Sequence, residues 1–175
     1  MSPLTHHPRA GAVSLIETKD FGDDGTGVTS VSFSAGIDGD NDGMHVLTYR
    51  LKLATSRYAY FRPNGLTTNL DSSFWRRDLG KINLAGELGL AQNGGSGTAH
   101  VHGWMLIYPK AGVKRQFIGM NSYPEGAATG EVPILWNGLW NETATNITSY
   151  TLIASVANGF KADCTASLYK VEITQ

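Results

Sequence analysis

The sequence predicts an all-β fold, an antiparallel β-sandwich or barrel forming a single domain with a short extended N-terminal arm. Three observations predict it. Apolar and polar residues alternate with period two in one segment after another. Turn residues separate those segments at short intervals. Convincing helical periodicity is absent, the best candidate being Leu84 to Leu90, a short stretch with two glycines. Twenty-one glycines in 175 residues supply the tight turns that such a fold needs.

The elements follow in order. Residues 1–12 open with two prolines and little apolar content, which reads as an extended arm, and 13–175 as the sandwich. His6 and His7 adjoin in that arm as a weak metal pair or, more simply, as solvated side chains. Val13 and Leu15 start the first strand. Between Val28 and Ile37, Val31, Phe33 and Ala35 share one face. The Gly36 to Gly43 turn leads to a strand from Met44 to about Ala54, where Leu47, Tyr49, Leu51 and Leu53 alternate with polar residues. A hairpin is the simplest pairing of these two strands. Tyr58 to Phe61 is a short aromatic strand closed by Pro63-Asn64-Gly65. Leu66 to Gly97 is the least regular part, with short candidates at Phe74-Trp75 and Ile82 to Leu84. Ala99 to Tyr108 predicts a central strand that pairs with Lys114 to Met120. Ile134 to Trp140, Ile147 to Val156 and Thr165 to Ile173 complete the set, the last two joined through Asn158-Gly159.

Composition narrows the function classes. The net charge is -1, from 14 basic against 15 acidic residues, so the electrostatic footprint of a nucleic-acid binder is missing. No apolar run is long enough to span a bilayer, and the start lacks the basic and apolar regions of a signal peptide. The single cysteine, Cys164, has no intrachain partner and reads as a small buried hydrophobe. Sequons at Asn141 and Asn146 carry no weight without secretion.

Chemistry-bearing motifs are few. Asp38, Asp40 and Asp42, in DGDNDG, match the opening of a calcium loop, since alternate carboxylates aim inward at a hard cation. The twelfth position of that pattern is Tyr49 instead of Glu, and Asp, Asn and Gly are also ordinary turn residues. His100 and His102 share one strand face, but a zinc site wants a third protein ligand, for which only His45 is at hand. G-x-S-x-G, H-E-x-x-H and phosphate loops are missing, and Glu87, Glu125 and Glu131 offer no evident facing pair for glycoside chemistry. We therefore expect no enzyme and no cofactor. Trp75, Trp104, Trp136 and Trp140 are available for core or contact. Phe74-Trp75-Arg76-Arg77 is the candidate contact patch, because aromatic and arginine side chains are typical anchors.

In the last third, Trp140, Ile147-Thr148-Ser149-Tyr150-Thr151-Leu152, Asn158-Gly159-Phe160 and Ser167-Leu168-Tyr169-Lys170-Val171 resemble the C-terminal signature of tailed-bacteriophage virion proteins. That signature is a tryptophan, an I-x-S-I-x-I strand, an N-F-x-x-G-S turn and a final L-Y-G-I strand. Tyr60-Phe61-Arg62-Pro63-Asn64-Gly65 resembles the group's L-R-x-N-G segment, and Gly103 to Lys114 its central strand. The correspondence runs in order over about residues 44–173, with Lys170 where Gly is usual and Cys164-Thr165-Ala166-Ser167 where Gly-Ser is common. The resemblance implies a jelly-roll-like sandwich in a phage particle, a capsid decoration (cement) protein or a tail-fibre or baseplate piece, and it brings no catalytic residues. A short chain starting at Met1 without heptads leads us to expect a complete small cement protein bound to the major capsid protein. It would reside in the virion after assembly in the host cytoplasm, and by analogy it would be a homo-oligomer, a trimer at local three-fold positions. The competing expectation is a tail-associated receptor- or carbohydrate-binding module.

Overall fold

The computed structural model describes residues 12–22, 27–54, 58–76, 80–92, 100–124 and 131–172. These contain no helix and twelve strands: β1 (Val13–Phe21), β2 (Ser30–Phe33), β3 (Met44–Lys52), β4 (Tyr58–Pro63), β5 (Leu70–Arg76), β6 (Gly80–Ala85), β7 (Leu88–Gln92), β8 (His100–Tyr108), β9 (Arg115–Pro124), β10 (Glu131–Trp140), β11 (Tyr150–Ala154) and β12 (Cys164–Val171). Eight form one sheet in the order β1-β12-β3-β8-β9-β10-β5-β6, and four form a second in the order β2-β11-β4-β7. Every pairing is antiparallel. The fold is thus an antiparallel β-sandwich of two unequal sheets.

The core lies between the sheets and follows from the alternation. In β3, Leu47, Tyr49 and Leu51 are buried, as are Val101, Met105 and Ile107 of β8 and Phe61, Tyr150 and Leu152 of the smaller sheet. Each such side chain removed from water contributes about 1.5–3 kcal/mol. The two largest core residues are Trp136 and Trp140, side by side in parity on β10. Room for Trp136 comes from a missing side chain: a Cβ at Gly89 of β7 would lie 1.8 Å from the indole ring. Gly103 serves Tyr49 in the same way, and the freed Tyr49 hydroxyl donates to the Leu90 carbonyl at 2.6 Å.

Several expectations hold in detail. β8 and β9 pair from His102↔Ser122 to Tyr108↔Gln116. The Pro63-Asn64-Gly65 turn places Asn64 and Gly65 at φ of 49° and 68°, which only Gly and Asn adopt readily. Cys164 is buried, where desolvation pushes its thiol pKa up. Other expectations change. β2 and β3 do not form a hairpin: β2 pairs with β11 in the small sheet, while β3 lies between β12 and β8 in the large one. The chain crosses between sheets there because Phe33 and Leu47 both need the same interior from opposite sides. Leu84 to Leu90 holds no helix but the turn between β6 and β7. Residues 1–11 of the expected arm lie outside the described residues, while the carbonyl of Ala12 already accepts the Glu172 N–H at 3.0 Å.

Candidate docking face and polar clusters

The acidic turn is held from within. Asp38 accepts from the Asn41 side chain at 2.6 Å and the Asn146 side chain at 3.0 Å, and these bonds hold its pKa below the usual value. Asn146 also accepts the Asp40 N–H at 3.0 Å, and Asp40 accepts the Ala111 N–H at 3.2 Å. Asp42 is buried. Its Oδ1 meets Lys170 Nζ at 2.6 Å, and its Oδ2 meets His45 Nε2 at 2.7 Å and the Asp38 N–H at 2.9 Å. Burial raises the Asp42 pKa, but the Lys170, Asp38 and His45 contacts outweigh it and the net shift is downward. Among the described residues, no group of three or more His, Cys, Asp and Glu is placed to hold a metal ion.

His45 is fully buried between Asp42 and Tyr150, whose hydroxyl lies 2.7 Å from Nδ1. With Asp42 ionised, Nε2–H donates to the carboxylate and Nδ1 accepts from Tyr150. Desolvation keeps the imidazole pKa below its ordinary value and the Tyr150 pKa well above its own. This Asp42–His45–Tyr150 chain is tied off at both ends, by Lys170 and by core packing. His45 pairs at Ile107 and faces inward, so it does not join His100 and His102 on the other face. His100 instead lies 3.2 Å from the Arg50 guanidinium.

A second buried polar group was not foreseen. Arg115 sits 4.9 Å above the Trp140 ring and donates to the carbonyls of Pro109 at 3.2 Å, Thr145 at 2.5 Å and Glu142. It staples the loop between β10 and β11 to the end of β8. Glu87, one of the carboxylates considered for glycoside chemistry, is held by both nitrogens of an Arg62 fork. Glu125 lies outside the described residues.

The strand divides the expected contact patch by face. Phe74 is fully buried, 4.6 Å from Trp136 between ring centres, so it belongs to the core and not to the surface. Trp75 points the other way and is 59% exposed. Arg76 is placed by its backbone pairing with Ile134 and Gly80, and Arg77 lies outside the described residues.

Trp75 belongs to a larger feature that the sequence reading missed. On the outer face of the eight-stranded sheet, register aligns two rows across all strands. In the first, Leu15, Tyr169, Val46, Leu106 and Ile118 are successive neighbours, followed by Asn137, Ser73 and Asn83. In the second, Thr18, Ser167 and Thr48 are followed by Trp104, Met120, Leu135, Trp75 and Lys81. Leu15 and Leu135 are 57% and 51% exposed. The signal for this lay in the run Trp104-Met105-Leu106-Ile107, apolar at both parities, which marks a strand covered on both faces. Two clefts interrupt the rows. One of about 640 Å³ lies over Thr48, Ser167, Thr165 and Ser122, walled by Trp104 and Arg50. The other, of about 340 Å³, lies over Asn137, Ser73 and Asn83.

No family model matches the chain, and neither does a curated protein or a solved structure.

Proposed function

We propose that the protein is a non-catalytic structural protein of a tailed-bacteriophage virion, a capsid decoration (cement) protein that binds the major capsid protein and braces the lattice. The observation that carries this reading is the apolar outer face of the large sheet. Eight strands at about 4.8 Å and two rows about 7 Å apart make a band of roughly 34 Å by 14 Å, or ~500 Å², in which nine of the sixteen side chains are apolar. The largest exposed apolar patch on a monomer is usually about 300–600 Å² and often functional, and this band is of that size. The polar clusters support the same reading, because Asp42, His45, Arg115 and Glu87 are each occupied in holding the fold. A rigid body with one broad contact face suits a protein that assembles into symmetric units, and such units gain from multivalency on a repeating lattice. The test is to purify virions and quantify the protein by mass spectrometry against the major capsid protein. Stoichiometric incorporation is expected, together with heads that rupture sooner on heating when the protein is lacking. Absence from heads ends the reading.

The larger cleft favours one second reading, a tail-associated carbohydrate-binding module. Trp104 would provide a stacking surface, and Arg50, His102 and Ser122 would provide polar contacts. A glycan array with the purified protein separates the two, since no glycan is bound under the cement reading.

A further inference from the structure

We infer that the outer face of the eight-stranded sheet pairs with the same face of a second copy of this chain, about a two-fold axis parallel to the strands between β8 and β9. This rests on the reading of that face as an assembly surface and names its partner.

Size supports a protein partner of similar extent. Two such bands of ~500 Å² together reach about the 1,000 Å² that a specific interface needs. Shape identifies that partner as a second copy. The two rows carry bulk at opposite ends of the sheet. In the first row the large residues Leu15, Tyr169 and Val46 stand on β1, β12 and β3, and the hollow over Asn137, Ser73 and Asn83 lies on β10, β5 and β6. In the second row the arrangement is reversed. The small residues Thr48, Ser167 and Thr18 stand on β3, β12 and β1, at one side of a cleft that runs on over β8 and β9, while Leu135 and Trp75 project from β10 and β5. A two-fold axis along the strands exchanges β12 with β5 and β3 with β10 and leaves each row facing itself. Trp75 and Leu135 of one copy then stand over Ser167 and Thr48 of the other, at the β12 and β3 side of its cleft. Val46 and Tyr169 enter the cleft of about 340 Å³ over Asn137 and Ser73. Leu106 meets Ile118, and Trp104 meets Met120, at the axis.

Twist and charge agree with this placement. Both copies carry the same handed twist, and an axis parallel to the strands superposes one saddle on the other, so the faces stay parallel across their width. The only formally charged side chain in the two rows is Lys81 at the β6 end. The axis sets it over Thr18 of the second copy, next to Asp20 on β1, so no like charges oppose one another. Each residue contact occurs twice, as a closed isologous pair requires.

The experiment is sedimentation velocity on the full chain at micromolar concentration, with two charged variants. Wild type is expected to sediment as a dimer. Leu135→Glu and Thr48→Lys each place a charge in the interface, and each is expected to sediment as a monomer with unchanged circular dichroism. The two positions face one another across the axis, so an equimolar mixture of the variants is expected to recover the dimer, which a merely misfolded variant cannot do. A wild type that stays monomeric, or variants that do not recover each other, overturns the pairing. A monomeric wild type that binds purified heads, with Leu135→Glu abolishing binding, removes the second copy while the assembly reading stands. A dimeric wild type that is missing from virions leaves the pairing and removes the virion role.

Discussion

Replacing Gly89 with alanine tests the packing of the core at its tightest point. A Cβ there would lie 1.8 Å from Cζ3 and 2.2 Å from Cε3 of Trp136, far inside any van der Waals contact. The indole has little freedom to retreat: it is 1% exposed and rests against Phe74. Overpacking of a well-filled core costs about 1–3 kcal/mol, and displacement of a core tryptophan costs about 3–5 kcal/mol. Because the overlap is with a fused ring and not with a flexible chain end, Gly89→Ala belongs at the upper end, about 3–5 kcal/mol. Trp136→Leu alone costs about 3 kcal/mol or more through the volume it empties. In that background the added methyl enters vacated space, so the double variant is expected to be about as stable as Trp136→Leu by itself. The coupling energy is then ~3 kcal/mol, at the high end for residues in contact. Urea denaturation followed by fluorescence and circular dichroism measures all four proteins. A Gly89→Ala loss below about 1 kcal/mol, or the same loss in both backgrounds, would refute the contact as the reason for the glycine.

Three further outcomes are expected. Stability should decline as pH falls below about 6.5, the ordinary histidine value. The buried His45 has a lowered folded-state pKa, so the unfolded chain takes up the proton first; the carboxylates of Asp38 and Asp42 extend the loss below the usual carboxylate range. Melting temperature against pH should show a shoulder near neutrality that His45→Gln removes, and greater stability at pH 5 than at pH 7 would contradict the assignment. Arg115→Met should cost about 3 kcal/mol or more, since it strands buried carbonyls, and Arg115→Lys should not restore it because a lysine lacks the planar fork; chemical denaturation that finds a loss under about 1 kcal/mol removes the stapling role. Cys164 should be inert to a thiol reagent in the folded protein and react on unfolding, whereas a fast native reaction would mean that the β12 end opens.

The local elements were legible because their causes are local. Leu47, Tyr49 and Leu51 announce β3 by parity alone, and Pro63-Asn64-Gly65 announces its turn by backbone preference. Partner choice was not legible. The turn from Gly36 to Gly43 sits between two strands like a hairpin turn, yet it carries the chain from one sheet to the other, because pairing is set by which core each strand fills. The segment from Leu66 to Gly97 looked irregular because β5, β6 and β7 are short and rich in small polar residues such as Ser72 and Ser73. Ser72 is there to accept the Gly89 N–H and donate to the Glu87 carbonyl, a tertiary task with no sequence signature. The same holds for the Asp42–His45–Tyr150–Lys170 chain, whose members are spread over more than a hundred positions. Trp75 was picked out for its neighbours in sequence, but the face it belongs to exists only once eight strands are in register.

β12 lies between β1 and β3, so a strand synthesised after the eleven others described fills an interior slot of the large sheet. Until it emerges, β1 has no strand to pair with among the described residues and one flank of β3 stays bare. Nascent chains therefore wait with two unsatisfied edges, and truncation before Cys164 should send the polypeptide to proteolysis or inclusion bodies instead of leaving a trimmed but soluble product.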